Sequence, residues 1–188
     1  VRRPEAEFED FVRSRSTALL RTAYLLCGGD RGAAEDLLQD VLERMFVRWS
    51  RVTGSPEAYA RAALANTAAN RWRRLSRRVA EVPLSERADE DEHAGADETV
   101  SDRDAVLQAL RELPPRMRAV IVLRYFEDLT EAETARALGC AVGTVKSQTS
   151  LGLTRLRRVY AENDREENDP HENDAESLRA TPLRGAFR

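Results

Sequence analysis

The chain has 188 residues and a mass of 21.2 kDa, room for one ordinary domain or two small ones. Its 30 Lys and Arg against 33 Asp and Glu leave a net charge of −3, and 2 His with 2 Cys offer little material for a zinc site or a His-based catalytic triad. No apolar run approaches the roughly 18 residues of a membrane span. The first 30 residues carry Glu5, Glu7, Glu9 and Asp10 without a signal-type apolar core, which predicts a cytoplasmic protein with no membrane insertion.

The total charge hides an alternation. Residues 1–80 carry 15 basic against 10 acidic groups, residues 81–104 carry 2 against 10, and residues 105–161 carry 9 against 5. Residues 162–177 then carry 1 against 8, and Arg179, Arg184 and Arg188 close the chain. Two basic blocks are thus separated and followed by acidic stretches, and such asymmetry says more about partners than the sum does.

In chain order, apolar positions from Phe8 to Leu26 recur at three- and four-residue intervals and predict a first helix. Gly28-Gly29-Asp30 breaks it, with Asp30 placed to cap a second helix from about Ala33 to Trp49. That helix has a broad apolar stripe, edged by Glu35, Asp36, Gln39, Asp40 and Glu43. Ser55 as cap and Pro56 at the first helical position start a third helix, expected to reach about Arg78. It bears Arg61, Arg71, Arg73, Arg74, Arg77 and Arg78, with Asn66 and Asn70 one turn apart and Trp72 among the arginines. Amides beside an aromatic ring and a cationic rim suit unstacked bases, although arginines near a helix end also complement its dipole.

Between Ser85 and Thr99 there is no apolar periodicity, and Asp89-Glu90-Asp91-Glu92 repels itself. Residues 81–101 therefore read as a flexible acidic linker joining a helical domain at 1–80 to a second at 102–160. Ser101-Asp102-Arg103-Asp104 is a capping box ahead of Val106, Leu107 and Leu110. Pro114-Pro115 separates that helix from one carrying Met117, Val120, Ile121 and Leu123. Thr130-Glu131-Ala132-Glu133 is another capping box, for a short helix ending at Leu138-Gly139, and a longer helix starts near Val142. The expected fold is all-α: two small helical domains, the second too compact for a catalytic cleft. Residues 161–188, acidic and aperiodic, read as a disordered tail.

The spacing from Glu131 onward is that of a helix-turn-helix. With Glu131 first, Ala135 stands fifth, Gly139 ninth, and Val142 and Val145 twelfth and fifteenth. A small residue lets the helices cross closely, a glycine permits the turn, and Leu138, Val142 and Val145 are expected to bury the joint. Ala141, Gly143, Thr144, Lys146, Ser147 and Ser150 then face outward, and small or hydroxylated side chains permit close approach to a major groove. Thr130 and the amides at both helix starts can hold phosphates. Arg155, Arg157 and Arg158 add positive charge; a helical hairpin with no DNA role is the plainer alternative. The acidic edge at Glu35, Asp36, Gln39 and Asp40 gains nothing from DNA and fits a positively charged protein partner.

Taken together, the residues resemble an alternative sigma factor of bacterial RNA polymerase, in the extracytoplasmic-function group and of actinobacterial type. The resemblance rests on Ala34-Glu35-Asp36-Leu37-Leu38-Gln39-Asp40, on Ala65-Asn66-Thr67-Ala68-Ala69-Asn70-Arg71, on Leu113-Pro114 with the apolar run 119–125, and on Thr130 through Leu156. It implies that Glu35, Asp36, Gln39 and Asp40 meet the clamp helices of the polymerase's largest subunit. The loop from Arg51 to Ser55, with Asn66, would trap a flipped base of the minus-10 element, and Asn70, Arg71, Arg73 and Arg74 would hold the adjoining strand and duplex. The second domain would read the minus-35 element through Thr130, Thr144, Lys146, Ser147, Ser150 and Arg155 and dock on the flap of the second-largest subunit.

Core polymerase and promoter DNA are then the expected partners, with an anti-sigma protein optional, no cofactor or metal, and no bond-making chemistry in the chain itself. Leu151 departs from the arginine common in relatives, which implies either a missing phosphate contact or a buried face. A stand-alone helix-turn-helix regulator of duplex operators is the competing reading. A nuclease ranks third, since no carboxylate cluster adjoins the basic helix in sequence.

Overall fold

The computed structural model describes residues 4–81 and 102–167, with side chains placed for 5–71 and 105–161. The helices are α1 (Pro4–Leu26), α2 (Arg31–Arg48), α3 (Pro56–Glu81), α4 (Asp102–Arg111), α5 (Pro115–Tyr125), α6 (Glu131–Leu138) and α7 (Val142–Glu167). A 3-10 turn, Trp49–Arg51, follows α2, and there is no strand among the described residues. Residues 82–101 of the proposed linker, Ser101 of the capping box among them, lie outside the described residues, while Glu81, counted with the linker above, is the last residue of α3.

Local chemistry sets most of the boundaries. Asp30 Oδ1 accepts from the Ala33 amide at 2.8 Å, and Ser55 Oγ from the Ala58 amide at 3.2 Å, so both caps satisfy an amide the helix start leaves open. Helix α1 begins a turn before Phe8, with Pro4 at its start and Glu5 and Glu7 facing the positive end of the dipole. At the other end of the chain, α7 runs through Glu167, so residues 161–167, assigned above to the disordered tail, are helical. Ala161, Glu162, Arg165 and Glu166 are good helix formers that extend an already nucleated helix at little cost.

In the first block, Leu19 and Ala23 of α1, Leu37, Val41 and Met45 of α2, and Ala60 and Leu64 of α3 are buried. Each such leucine contributes about 1.5–3 kcal/mol by leaving water. Phe8 meets Phe46 and Trp49 at ring separations of 5.2 and 5.1 Å, fastening the start of α1 to the end of α2. In the second block, Leu107, Leu110, Leu113, Met117, Ile121 and Leu123 are buried. These two sets form one continuous core, because α1 and α3 pack against α5, and α3 also packs against α6. A smaller cluster of Val120, Ala135 and Val145 seats the helix-turn-helix on α5.

Polar contacts reinforce the junction between the blocks. Arg118, buried on α5, donates to the carbonyls of Leu26, Arg111 and Leu113, and Arg111 donates to the Gly28 carbonyl. Burial holds the Arg118 guanidinium below its ordinary pKa, and it also pushes the nearby Cys27 thiol up to about 11.

Candidate nucleic-acid interface

The helix-turn-helix is built from its caps. The Thr130 hydroxyl accepts from the Glu133 amide at 3.2 Å, while the Glu133 carboxylate accepts from the Thr130 amide at 2.8 Å. These bonds from Thr130 hold the Glu133 carboxyl below its ordinary range. The Thr130 hydroxyl also donates to Glu133, at 2.6 Å, so its proton is already committed. Gly139 takes the left-handed conformation, φ +61°, that the turn requires.

Ala141, Gly143, Thr144, Lys146, Ser147, Ser150 and Arg155 are all exposed at the start of α7 and along its outer face, and Val145 is fully buried beneath them. Val142, expected in the joint, is instead 40% exposed. Partly buried Leu138, together with Ala135 and Val145, closes the joint without it. Lys146 Nζ lies 3.7 Å from Glu131 Oε2, and Ser147 Oγ donates to the Thr144 carbonyl at 3.0 Å. Leu151 is exposed as well, which removes the reading of that position as a buried face.

On α3 the amide of Asn66 is half-buried, and Asn70 and Arg71 are exposed. The side chains of Arg73 and Arg74 lie outside the described residues. Arg51 and Ser55 are exposed ahead of α3, and Asn66 lies ten positions, about 15 Å, beyond the first residue of that helix. Asn66 and Asn70 share a cleft with Arg116, Thr144 and Gln148. Sequence reasoning missed Gln148, although it lies one turn beyond Thr144 on the same face. Arg116 carries no signal in the sequence, because only the packing of α5 on α3 brings it there.

The acidic edge of α2 is exposed at Glu35, Asp36, Gln39 and Asp40. Glu35 pairs with Arg31 at 2.9 Å, Asp40 with Arg44 at 3.4 Å and Asp36 with Arg71 at 3.6 Å. Exposed pairs of this kind are worth no more than about 1 kcal/mol, so a partner displaces them easily. Beside this edge runs an apolar groove lined by Phe8, Leu38, Leu42 and Phe46. Among the described residues no His, Cys, Asp or Glu cluster could hold a metal, and no helix is long and apolar enough to cross a membrane.

An exposed helix-turn-helix face, a second helical block with an amide-and-arginine helix and a separate acidic edge are together the features of a DNA-binding protein. The chain matches the family Sigma-70 region 2 over residues 11–78 and Sigma-70, region 4 over residues 103–156. It is 40% identical over 160 residues to the RNA polymerase sigma-E factor of Streptomyces coelicolor, spanning 84% of this chain and 88% of that one. It is 33% identical over 163 residues to the ECF RNA polymerase sigma factor SigL of Mycobacterium tuberculosis, spanning 84% and 92%. The solved structure of the sigma factor RpoE with the anti-sigma factor NepR from Bartonella quintana shares the fold, with a TM-score of 0.64 at 24% identity over 82% of this chain and 97% of that one. The chain belongs to the extracytoplasmic-function family of RNA polymerase sigma factors, in its actinobacterial form. Its function is promoter recognition for RNA polymerase, which sets aside a stand-alone operator-binding regulator.

Proposed function

We propose a division of this activity between the two blocks. The edge Glu35, Asp36, Gln39 and Asp40 meets the clamp helices of the largest polymerase subunit, with the adjoining apolar groove supplying dry contact area. Asn66 reads an unstacked base of the minus-10 element, and Asn70, Arg71, Arg73 and Arg74 hold the strand beside it. The loop from Arg51 to Ser55, just ahead of α3, encloses that base together with Asn66 and the start of α3.

The second block reads the minus-35 element through Thr144, Lys146, Ser147 and Ser150, with Arg155 on the phosphates and the amides capped by Thr130 facing the backbone. Its apolar side docks on the flap of the second-largest subunit. The protein acts in the cytoplasm without catalysing a reaction of its own. An anti-sigma protein is a proposed further partner, by analogy with the sigma factor RpoE of Bartonella quintana, which was solved in complex with the anti-sigma factor NepR.

The observation that carries this reading is the recognition-helix face: six small or polar residues exposed around the first turns of α7 over a fully buried Val145. Purified core polymerase, mixed with the full chain and a library of promoter fragments, tests it. Initiation should occur from a distinct subset of sequences. A chain that fails to bind core polymerase overturns the proposal.

A further inference from the structure

We infer that Leu151 is a specificity-determining base reader, whose side chain meets the C5-methyl group of one thymine in the minus-35 element. The inference rests on the reading of that element by the second block proposed above, and it names the chemistry at one position within it.

Thr144, Ser147, Leu151, Arg155 and Arg158 follow one another along α7 at steps of three and four residues, which sets them in one line on the helix, and all five are exposed. The residues next to Thr144 and Leu151, Val145 and Gly152, are buried, and Gly152 lies against Ile121 and Met117 of α5. The line is thus set about a quarter-turn from the packed side and looks into solvent.

Four of these side chains carry a hydroxyl or a guanidinium. Leu151 carries neither, and it is 55% exposed. Among the described residues of α7 the other exposed large apolar side chain is Val142, which stands in line with half-buried Thr149 and Leu153 on a different side of the helix. Exposed leucines are common on protein surfaces. What distinguishes this one is its place, one turn beyond Ser147 and one turn before Arg155.

That place fixes the partner. In a docked helix-turn-helix the start of the second helix approaches base edges. Leu151 lies seven residues, about 10 Å, beyond Thr144, a distance that fits within a major groove about 12 Å wide. It stands between a residue proposed to read bases and one proposed to hold phosphate. A leucine donates to no phosphate and accepts from no amine. In the major groove one base presents an apolar group, thymine through its C5-methyl. Any other base would put a polar edge beneath a side chain that cannot bond to it, and that edge would lose its water without replacement. The leucine therefore favours thymine and rejects the alternatives by the same contact.

The test uses the full chain bound to core polymerase and a duplex fragment selected from the promoter library. Each thymine of its minus-35 element, on either strand, is replaced in turn by deoxyuridine, which removes the methyl group alone. Fluorescence anisotropy reads affinity for wild type, Leu151→Ala and Leu151→Met, and circular dichroism checks that the variants keep the helix content of wild type. In wild type one thymine should respond, with binding about fourfold weaker, the worth of one buried methyl group. Leu151→Ala should lose that response while the preference at other positions of the element persists. Leu151→Met, apolar and similar in volume, should keep it. A complex indifferent to a scrambled minus-35 element overturns the underlying reading and this inference with it. A complex that prefers the element but has no methyl-sensitive thymine, keeps the sensitivity in Leu151→Ala, or loses it equally in Leu151→Met overturns the inference alone.

Discussion

Gly152 on α7 lies so close to Ile121 on α5 that a β-carbon there would stand 2.9 Å from Ile121 Cγ1 and 3.1 Å from Met117 Cγ. Both neighbours are buried, so neither can swing away, and the two helices meet at the distance that a bare α-carbon permits. Gly152→Ala gains about 1 kcal/mol of helix propensity but overpacks this crossing, a cost of about 1–3 kcal/mol. The expected outcome is a net loss of stability in urea unfolding. Gly143, on the same helix, has no atom near its missing β-carbon. Gly143→Ala should be neutral or stabilising by up to about 1 kcal/mol. Equal responses at the two glycines would contradict the packing argument.

Arg118 gives a second expectation. Its guanidinium supplies donors to three carbonyls, Leu26 at 3.2 Å, Arg111 at 2.9 Å and Leu113 at 3.2 Å, in a fork that no ammonium can reproduce. Arg118→Met keeps much of the volume but leaves those carbonyls without this donor, which should cost about 2–3 kcal/mol. Arg118→Lys should recover only a minor part of the loss. Full recovery by lysine in denaturant unfolding would mean that the charge, rather than the fork, matters.

Cys27 makes stability depend on alkaline pH. Its thiol is pushed from 9.0 to about 11, first by burial and then by the Asp30 carboxylate, against the pull of Arg118 and Arg71. Between those values the unfolded chain has released this proton while the folded chain still holds it. Stability from this group is therefore complete below about pH 9 and falls as pH rises toward about 11. Because the site is partly open to water, the loss should be about 1–2 kcal/mol. Unfolding of wild type and Cys27→Ala at about pH 8 and about pH 10.5 isolates it: the variant should lose less stability between the two. Parallel losses would remove Cys27 as the cause.

What could be read from the sequence, and what could not, follows the range of the interactions. Asp30, Ser55, Thr130 and Gly139 act within four residues of their own positions, so their chemistry announces the helix boundaries. The helix-turn-helix spacing is equally local, and it correctly turned Thr144, Lys146 and Ser147 outward. Val142 was misread because a pattern position does not say how much cover Leu138 and Val145 already provide. Thr22 bonds to Glu127 across 105 positions, and Asn66 to Ala137 across 71. No periodicity encodes such pairs, so two blocks separable by composition gave no sign of a shared core. For the same reason the cleft joining Asn66 and Asn70 to Arg116 and Gln148 emerges only with the packing of α3 against α5 and α6.

Lys146 offers the most direct test of the reading face. It stands exposed on α7 with its ammonium 3.7 Å from Glu131, at the start of the preceding helix. In the proposed complex it exchanges that carboxylate for a phosphate or a base edge. Lys146→Ala, measured as full chain with core polymerase on duplex carrying the minus-35 element, should weaken binding. A phosphate contact predicts uniform weakening across sequences and a salt slope smaller by about 1. A base contact predicts a cost of about 1–3 kcal/mol confined to one position of the element, with relaxed preference there. Glu131→Gln removes the competing carboxylate and should tighten binding a few-fold in wild type, but not in Lys146→Ala. If Lys146→Ala changes neither affinity, preference nor salt slope, the lysine takes no part in reading the promoter.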